Sequence, residues 1–446
     1  MKKKSIYLFI SVLSLILLLD GCLSKQAEQN EGDGNTTVVH RSPKSPLYTA
    51  QTDNSRPVVS ISVENAIQSQ PATLRLSQIA SSVEYYAVGD DKYQVTQILK
   101  VPEGFIALNK PKIYLYRKGM KRKRVGFKAE YSEWAASLVG NSLYYDSESG
   151  QLYGYIKRLE KDQAYRTYYI GEMPKLDSIL ARQRYLFIDS LPNLYPVPYL
   201  PGDYSDPLLD FNEKGYAKFS TMPQITYIPN GILTFNLQGD TLCRFPAGMD
   251  PFPKKLPDQY RHTDYATAYS YDKQLTFKIT YSDTIYRIAS PNILIPAYHL
   301  DFGKHKASAS YIFSRQEMQH KAWLTDLKEN QYALFLGVHY EGKRTYEGWL
   351  DKNSERDTAS PEYRIVYLKK SRQAVVLPEK DYAFINDLDG GLPFWPDGQA
   401  DGYFYMIRPA KELKKEIRLD GSPRQKELAA FLKDLPDDQN VLMVVH

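Results

Sequence analysis

The sequence predicts an all-β chain: a β-propeller of small antiparallel sheets, with a short helix and strand at the C-terminus. Three observations predict it. A segment is written twice, as Leu233-Thr234-Phe235 leading to Gly239-Asp240-Thr241-Leu242-Cys243-Arg244-Phe245, and as Leu275-Thr276-Phe277 leading to Ser282-Asp283-Thr284-Ile285-Tyr286-Arg287-Ile288, with the aspartates 43 residues apart. That period is too long for a leucine-rich turn and suits a propeller blade. Short alternating runs recur along the chain with no long helical pattern before its end. The 37 tyrosines suit strands with one wet end, because Tyr joins an apolar ring to a polar tip.

The N-terminus is of another kind. Lys2-Lys3-Lys4, an apolar run from Ile6 to Leu19, and Leu19-Asp20-Gly21-Cys22 read as an export signal over residues 1–21. The last four residues resemble a bacterial lipobox, which implies cleavage before Cys22 and its acylation, although Asp20 departs from the small or apolar residue usual there. Leu23 is not the aspartate associated with inner-membrane retention, so the expected location is the outer membrane, on its periplasmic or cell-surface face. Removing residues 1–21 takes away three lysines and one aspartate, and the formal net charge falls from +5 to +3. A near-neutral chain offers no general surface for nucleic acid. The mature chain keeps only Cys22 and Cys243, so with the first acylated its stability comes from packing rather than a disulfide.

Residues 22–56, rich in Gln, Glu, Asn, Gly, Ser, Thr and Pro, read as a flexible tether, and residues 57–446 as the propeller. Strands are expected at 58–63, 74–76 and 83–86, then as pairs at 105–108 with 113–116 and at 142–145 with 151–156. In the copied segments, Leu-Thr-Phe and the residues after the turn alternate apolar with polar. Each copy reads as a hairpin at the outer part of a sheet, with its Asp holding the turn. Further strands are expected at 332–338, 348–350, 365–368, 374–377 and 402–407. About 350 residues at blade-sized spacing allow six to eight blades and leave five open. Ser422-Pro423-Arg424-Gln425 then fits a helix start, with Leu428, Phe431, Leu432 and Leu435 on one face. Pro436 stops that helix, and Val441 to Val445 reads as a buried strand. A ring closes when the two chain ends share a sheet, so one terminal segment is expected to complete the sheet of the other.

Several stretches together resemble the TolB-like six-bladed β-propeller lipoproteins of gut-dwelling Gram-negative bacteria. They are Leu76-Ser77-Gln78-Ile79 with Val83-Glu84-Tyr85-Tyr86, Ser282 to Ile288 running on to Pro296-Ala297-Tyr298-His299-Leu300-Asp301-Phe302-Gly303-Lys304, and Asn386-Asp387-Leu388-Asp389-Gly390-Gly391 with Phe394-Trp395-Pro396. The resemblance covers residues 57 to the end and implies the fold, a six-bladed β-propeller of four-stranded antiparallel sheets, and a lipid anchor. It supplies no catalytic residues. Many members carry a Gly-Arg-Gly-Pro-Gly-Glu-Tyr type loop where this chain has Gly126-Phe127-Lys128-Ala129-Glu130-Tyr131, so a ligand role tied to that loop does not carry over.

Chemical motifs are sparse. Asp387-Leu388-Asp389-Gly390-Gly391 is a partial calcium-loop pattern, but Trp395-Pro396 stands where further ligands would follow, and a turn whose carboxylates cap backbone amides is the preferred reading. His262, His299, His305, His320 and His339 follow no metal-binding spacing. Arg261-His262-Thr263-Asp264-Tyr265 is the densest polar-aromatic cluster. Arg261, His262, Asp264, Tyr265 and Trp395 are therefore the candidate ligand-binding residues. Met120-Lys121-Arg122-Lys123-Arg124 reads as a solvated basic loop, and most of Trp134, Trp323, Trp349 and Trp395 as packing residues. The expected function is a lipid-anchored, non-enzymatic module of the cell envelope that binds a protein or glycan partner. The alternative is a propeller hydrolase with a metal-dependent axial site.

Overall fold

Among the described residues of the computed structural model, six separate sheets account for all the strands, and each begins with a strand that touches the first strand of the next sheet. The structure describes residues 45–88, 95–109, 112–118, 122–127, 138–159, 166–183, 185–188, 193–197, 209–212, 215–219, 232–245, 266–272, 274–279, 282–308, 315–341, 362–379, 382–400, 402–417 and 422–446. The expected strand 348–350 lies outside these residues.

In sheet 1, Gln97–Val101, Gly104–Asn109, Lys112–Tyr116 and Lys123–Phe127 run antiparallel in that order. Sheet 2 holds Leu138–Asp146, Gln151–Leu159, Arg166–Lys175 and Leu194–Pro196, and sheet 3 holds Leu209–Asn212, Gly215–Phe219, Ile232–Phe235 and Thr241–Phe245. Ala266–Tyr271, Gln274–Ile279, Thr284–Ser290 and Ile293–Asp301 form sheet 4, while Ala322–Glu329, Ala333–Tyr340, Glu362–Leu368 and Gln373–Val376 form sheet 5. Sheet 6 orders Gly398–Ala400, Tyr403–Pro409 and Asn440–Val445, and its fourth strand is Val83–Ala87 from the other end of the chain. The first strand of sheet 6 touches the first strand of sheet 1. The protein is mostly β, with its sheets arranged as a β-propeller of at least five blades.

Alternation explains the packing. Successive residues of a strand point to opposite faces, and here both faces are covered. In sheet 5, Leu334, Leu336 and Val338 meet Tyr298 and Leu300 of sheet 4, whereas Ala333 and Phe335 meet Phe404 and Met443 of sheet 6. Leu442 and Val444 turn the other way, against Phe105 and Ala107 of sheet 1. Ile106 and Leu108 then pack on Leu152 and Ile156 of sheet 2, Tyr153 and Tyr155 on Leu233 and Phe235 of sheet 3, and Cys243 and Phe245 on Phe277 and Ile279 of sheet 4. Six sheets thus share six apolar interfaces. Two-sided burial replaces the half-wet strands expected from alternation: Thr276 and Lys278 are buried as deeply as their apolar neighbours. The Lys278 ammonium donates to the Ile279 carbonyl at 3.1 Å, and burial brings its pKa down to about 7.

The copied hairpins sit in successive sheets but at different depths. Ile232–Phe235 with Thr241–Phe245 is the outer pair of sheet 3, as expected; Gln274–Ile279 with Thr284–Ser290 is the middle pair of sheet 4. The turns also use other groups than expected. Asn236 accepts the Asp240 N–H at 2.9 Å, Ser282 accepts the Thr284 N–H, and the Asp283 carboxylate takes the Lys306 ammonium. A bulge falls in the first copy, between Thr234 and Phe235.

The N-terminal arm is a belt rather than a tether from residue 47 on. Leu47 and Tyr48 donate to the Thr241 and Leu242 carbonyls at the outer edge of sheet 3. Gln51–Thr52 and Val59–Ser62 add parallel to the last strand of sheet 4, and Ala72 donates to Val376 of sheet 5. Residues 74–76 form no strand, because a bridge at Arg75 leads directly into a 3₁₀ turn at Leu76–Gln78. Tyr185–Ile188 covers the edge of sheet 1. An outer edge exposes unpaired backbone groups, and each of these segments satisfies one. The C-terminal helix Pro423–Lys433 has Ser422 at its N-cap, accepting from Gln425, and buries Leu428 and Leu432.

Candidate binding site

Cys22, Arg261, His262, Asp264 and Tyr265 lie outside the described residues. Trp395 is in the core: its ring meets Phe335 edge-on at 5.4 Å, and the Arg364 guanidinium covers it at 4.9 Å. It packs instead of lining a funnel. Asp387 accepts the Ser77 N–H and hydroxyl, and Asp389 accepts from the Tyr85 hydroxyl, the Asn386 amide and the Gly391 N–H. Their oxygens tie the residue 386–391 turn to the N-terminal segment, and Gly390, at φ +69°, lets that turn close over Gln425. Among the described residues no group of three His, Cys, Asp or Glu side chains converges as a metal site would.

The basic run is not a solvated loop where it is described. Lys123 donates to the Leu180 and Arg182 carbonyls at the end of the helix Leu176–Ala181, where a cation complements the helix dipole. Arg122 and Arg124 lie over the Tyr114 and Tyr185 rings, each at 4.9 Å.

Folding also gathers histidines that are far apart in sequence. His305 Nδ1 meets the His320 carbonyl oxygen, and both rings pack on Tyr340. His339 faces Trp323 and Glu362 directly across two neighbouring strands. Its ring lies 4.4 Å from the Trp323 ring, with Glu341 at 3.2 Å and Glu362 at 3.4 Å. Hydrogen bonds to Glu341 and then Glu362 outweigh burial and raise its pKa to about 9.

Sequence reading missed the densest polar centre. Glu329 ends the first strand of sheet 5 with its side chain fully buried, and it accepts from Tyr269 at 2.7 Å, Tyr298 at 2.6 Å, Arg287 at 2.8 Å and Lys369 at 2.6 Å. Gln399 of sheet 6 accepts the Glu329 N–H and donates to the Ser270 carbonyl of sheet 4. One residue thereby joins three sheets. Burial, with the Glu329 charge added, pushes the Tyr269 and Tyr298 phenols up, so both stay protonated as donors. A carboxylate with four donors is poorly placed to act as a base, and this centre reads as a support. Its parts come from separate hairpins, so no local motif marks it.

The open feature lies elsewhere. A cleft of about 810 Å³ runs along the outer strand of sheet 6, Val83–Ala87. Arg117, Lys118 and Arg122 of sheet 1 line it together with Leu428 and Phe431 of the C-terminal helix. Lys118 pairs with Glu84 at 3.2 Å across one side, and Tyr85 approaches Phe431 on the other, with ring centres 6.2 Å apart. A mainly cationic side, and a side where apolar residues are joined by Arg424 and Glu427 of the helix, thus flank one strand edge.

A family model described as a domain of unknown function, DUF4933, matches residues 43–418. The chain belongs to the DUF4933 family. The match begins four residues before the belt and ends short of the closing strand Asn440–Val445. A crystal structure of a Bacteroides fragilis protein described as exported aligns with 87% of this DUF4933 chain and 99% of its own, at 13% identity and a TM-score of 0.50. That likeness concerns the fold alone. A silkworm (Bombyx mori) GH32 β-fructofuranosidase solved with sucrose aligns at 9% identity and a TM-score of 0.24, over 68% of this chain and 57% of its own. PorZ, a surface component of the type-IX secretion system of Porphyromonas gingivalis, aligns at 9% identity and 0.20, over 71% and 45%. Neither of these two alignments is close enough to argue from. Among curated proteins, none matches the chain.

Two outcomes test the support roles in the DUF4933 chain. Glu329→Ala leaves two partly buried cations and two phenols without their buried acceptor, and should lower unfolding stability by about 3 kcal/mol in urea titrations; a loss within error would show that the four donors find other partners. His339 binds its proton more tightly folded than unfolded, so its stabilisation is complete below about 6.5 and is lost as pH rises through about 9. The stability gap between wild type and His339→Gln should therefore shrink across that interval, and a gap constant with pH would contradict the assignment.

Proposed function

We propose that this DUF4933 chain is a lipid-anchored, non-enzymatic binding module of the cell envelope, built as a closed six-bladed ring of the TolB-like kind, with the cleft beside Val83–Ala87 as its partner-binding surface. The cleft carries the reading, because it joins cationic and aromatic side chains at an accessible strand edge. Six face-to-face apolar interfaces and the cyclic contact of the six leading strands support a ring in which every sheet is a blade. The signal-like N-terminus and lipobox-like Cys22 support export and anchoring, in keeping with the exported Bacteroides protein of similar fold. Among the described residues no helix is long and apolar enough to cross a membrane; the acyl chains on Cys22 would hold the protein at the outer membrane.

Fractionation of cells with a photo-crosslinking residue at position 431 tests both parts. The expected results are a membrane-bound protein released by Cys22→Ser, and a discrete envelope-protein adduct from position 431 that Lys118→Glu diminishes. Membrane retention of the Cys22→Ser protein would refute the anchor, and an absence of adducts from the cleft would refute the binding surface.

A further inference from the structure

Among the described residues, no strand pairs with the outer edge of sheet 6, which lies in the cleft. The Val88 and Ser82 N–H groups donate to the Asn440 and His446 carbonyls, and the His446 N–H returns to Ser82. Antiparallel pairs alternate between bonded and non-bonded positions, so Ser82, Glu84, Tyr86 and Val88 face the C-terminal strand. Val83, Tyr85 and Ala87 therefore aim their N–H and C=O groups the other way, and all three line the cleft. Among the described residues no group bonds to them there. On four other sheets the chain covers such edges itself: the belt does so on sheets 3, 4 and 5, and Tyr185–Ile188 does so on sheet 1, while the short outer strand of sheet 2 has no such cover among the described residues. A bare edge is a template for another strand.

The flanks specify what that strand would carry. Arg117, Lys118 and Arg122 stand on the side that Glu84 faces, where Lys118 keeps 78% of its side chain exposed beside its Glu84 partner. Tyr85, Leu428 and Phe431 stand on the other side. A strand's side chains alternate between the two sides. Acidic residues would meet the cations, and apolar residues the aromatic surface.

We propose that the cleft binds an extended segment of another polypeptide, with alternating acidic and apolar residues, as an added strand on Val83–Ala87. This deepens the binding reading of the same cleft and rests on it. An added strand would gain main-chain hydrogen bonds from Val83, Tyr85 and Ala87, with the flanking side chains setting its register and sign of charge.

The test is fluorescence anisotropy of the intact protein with a labelled octapeptide of alternating Glu and Val. Saturable binding is expected, weakened about tenfold, the equivalent of 1.4 kcal/mol, by Lys118→Glu with Arg122→Glu. A peptide N-methylated at alternate residues, which removes its donors on one edge, should bind at least about tenfold more weakly. Ala87→Pro removes an outward donor while sparing the bonds to the C-terminal strand, and should weaken binding with the unfolding midpoint retained. The methylated peptide keeps the test valid if that variant folds poorly. No saturable binding, equal binding of a Lys-Val peptide or of the methylated peptide, or displacement by an anionic oligosaccharide that binds the wild type more tightly would each overturn strand addition. Envelope-protein adducts from position 431 alongside such a result would leave the partner-binding reading standing; their absence would remove both.

Discussion

The pairing of Asn440–Val445 with Val83–Ala87 is the constraint on which the rest depends. Every sheet is apolar on both faces, so a sheet at the end of an open row would expose one of them to water. Burial of that surface is worth roughly 25 cal/mol per Å². Joining the last sheet to the first removes the exposed face, and the two chain ends accomplish it. Met443 and Val445 complete the contact toward sheet 5, while Leu442 and Val444 complete that toward sheet 1. The fully apolar closing strand follows from this position, since it has no wet side. The turn at residues 386–391 reinforces the closure by holding Ser77 and Tyr85 of the N-terminal segment on Asp387 and Asp389.

The same logic separates support from function. Edges and inner ends that the chain satisfies for itself, by the belt, by Lys123 on its helix end or by Glu329 among its four donors, have little capacity left for a partner. The groups to consider for binding are those the chain does not satisfy. On sheet 6, the strand shared by the two chain ends has no partner on its outer edge among the described residues, its own N-terminal continuation lying along sheets 3 to 5. Structural closure and a surface open to a partner thus fall on one strand, and the mixed charge and aromaticity of its flanks follow from sheet 1 and the C-terminal helix meeting there.

Much of the architecture was legible in the sequence because period-two patterning is local. The hairpins at 104–116 and 138–159, the capped helix after Ser422 and the sharing of a sheet by both chain ends could all be read from residue order. The copied Asp-Thr segments gave successive sheets correctly but misplaced the second hairpin, since similar strand chemistry serves the middle and the edge of a sheet whose faces are both buried. The belt was hidden by its polar composition: residues 47–53 hold their places through backbone bonds, which side-chain patterning does not reveal. Glu329 was invisible for a different reason, because its partners Tyr269, Arg287, Tyr298 and Lys369 converge only after folding. Trp395 and the 386–391 aspartates drew attention as chemistry-bearing residues, yet they are held in core packing and turn bonds.

Closure by the two chain ends requires that they form one cooperative sheet. Native-state hydrogen exchange of the Ser82, Val88, Leu442 and His446 amides measures this directly, because an amide released only by global unfolding reports the full stability of the protein. Closure predicts that Val88 and Leu442 exchange with the same opening free energy as Leu336 in the interior of sheet 5. Exchange of the Glu84, Tyr86 and Val88 amides, which face the C-terminal strand, through a low-energy opening that leaves Leu336 protected would contradict it, showing that the N-terminal strand is an accessory to sheet 6 rather than the element that closes it.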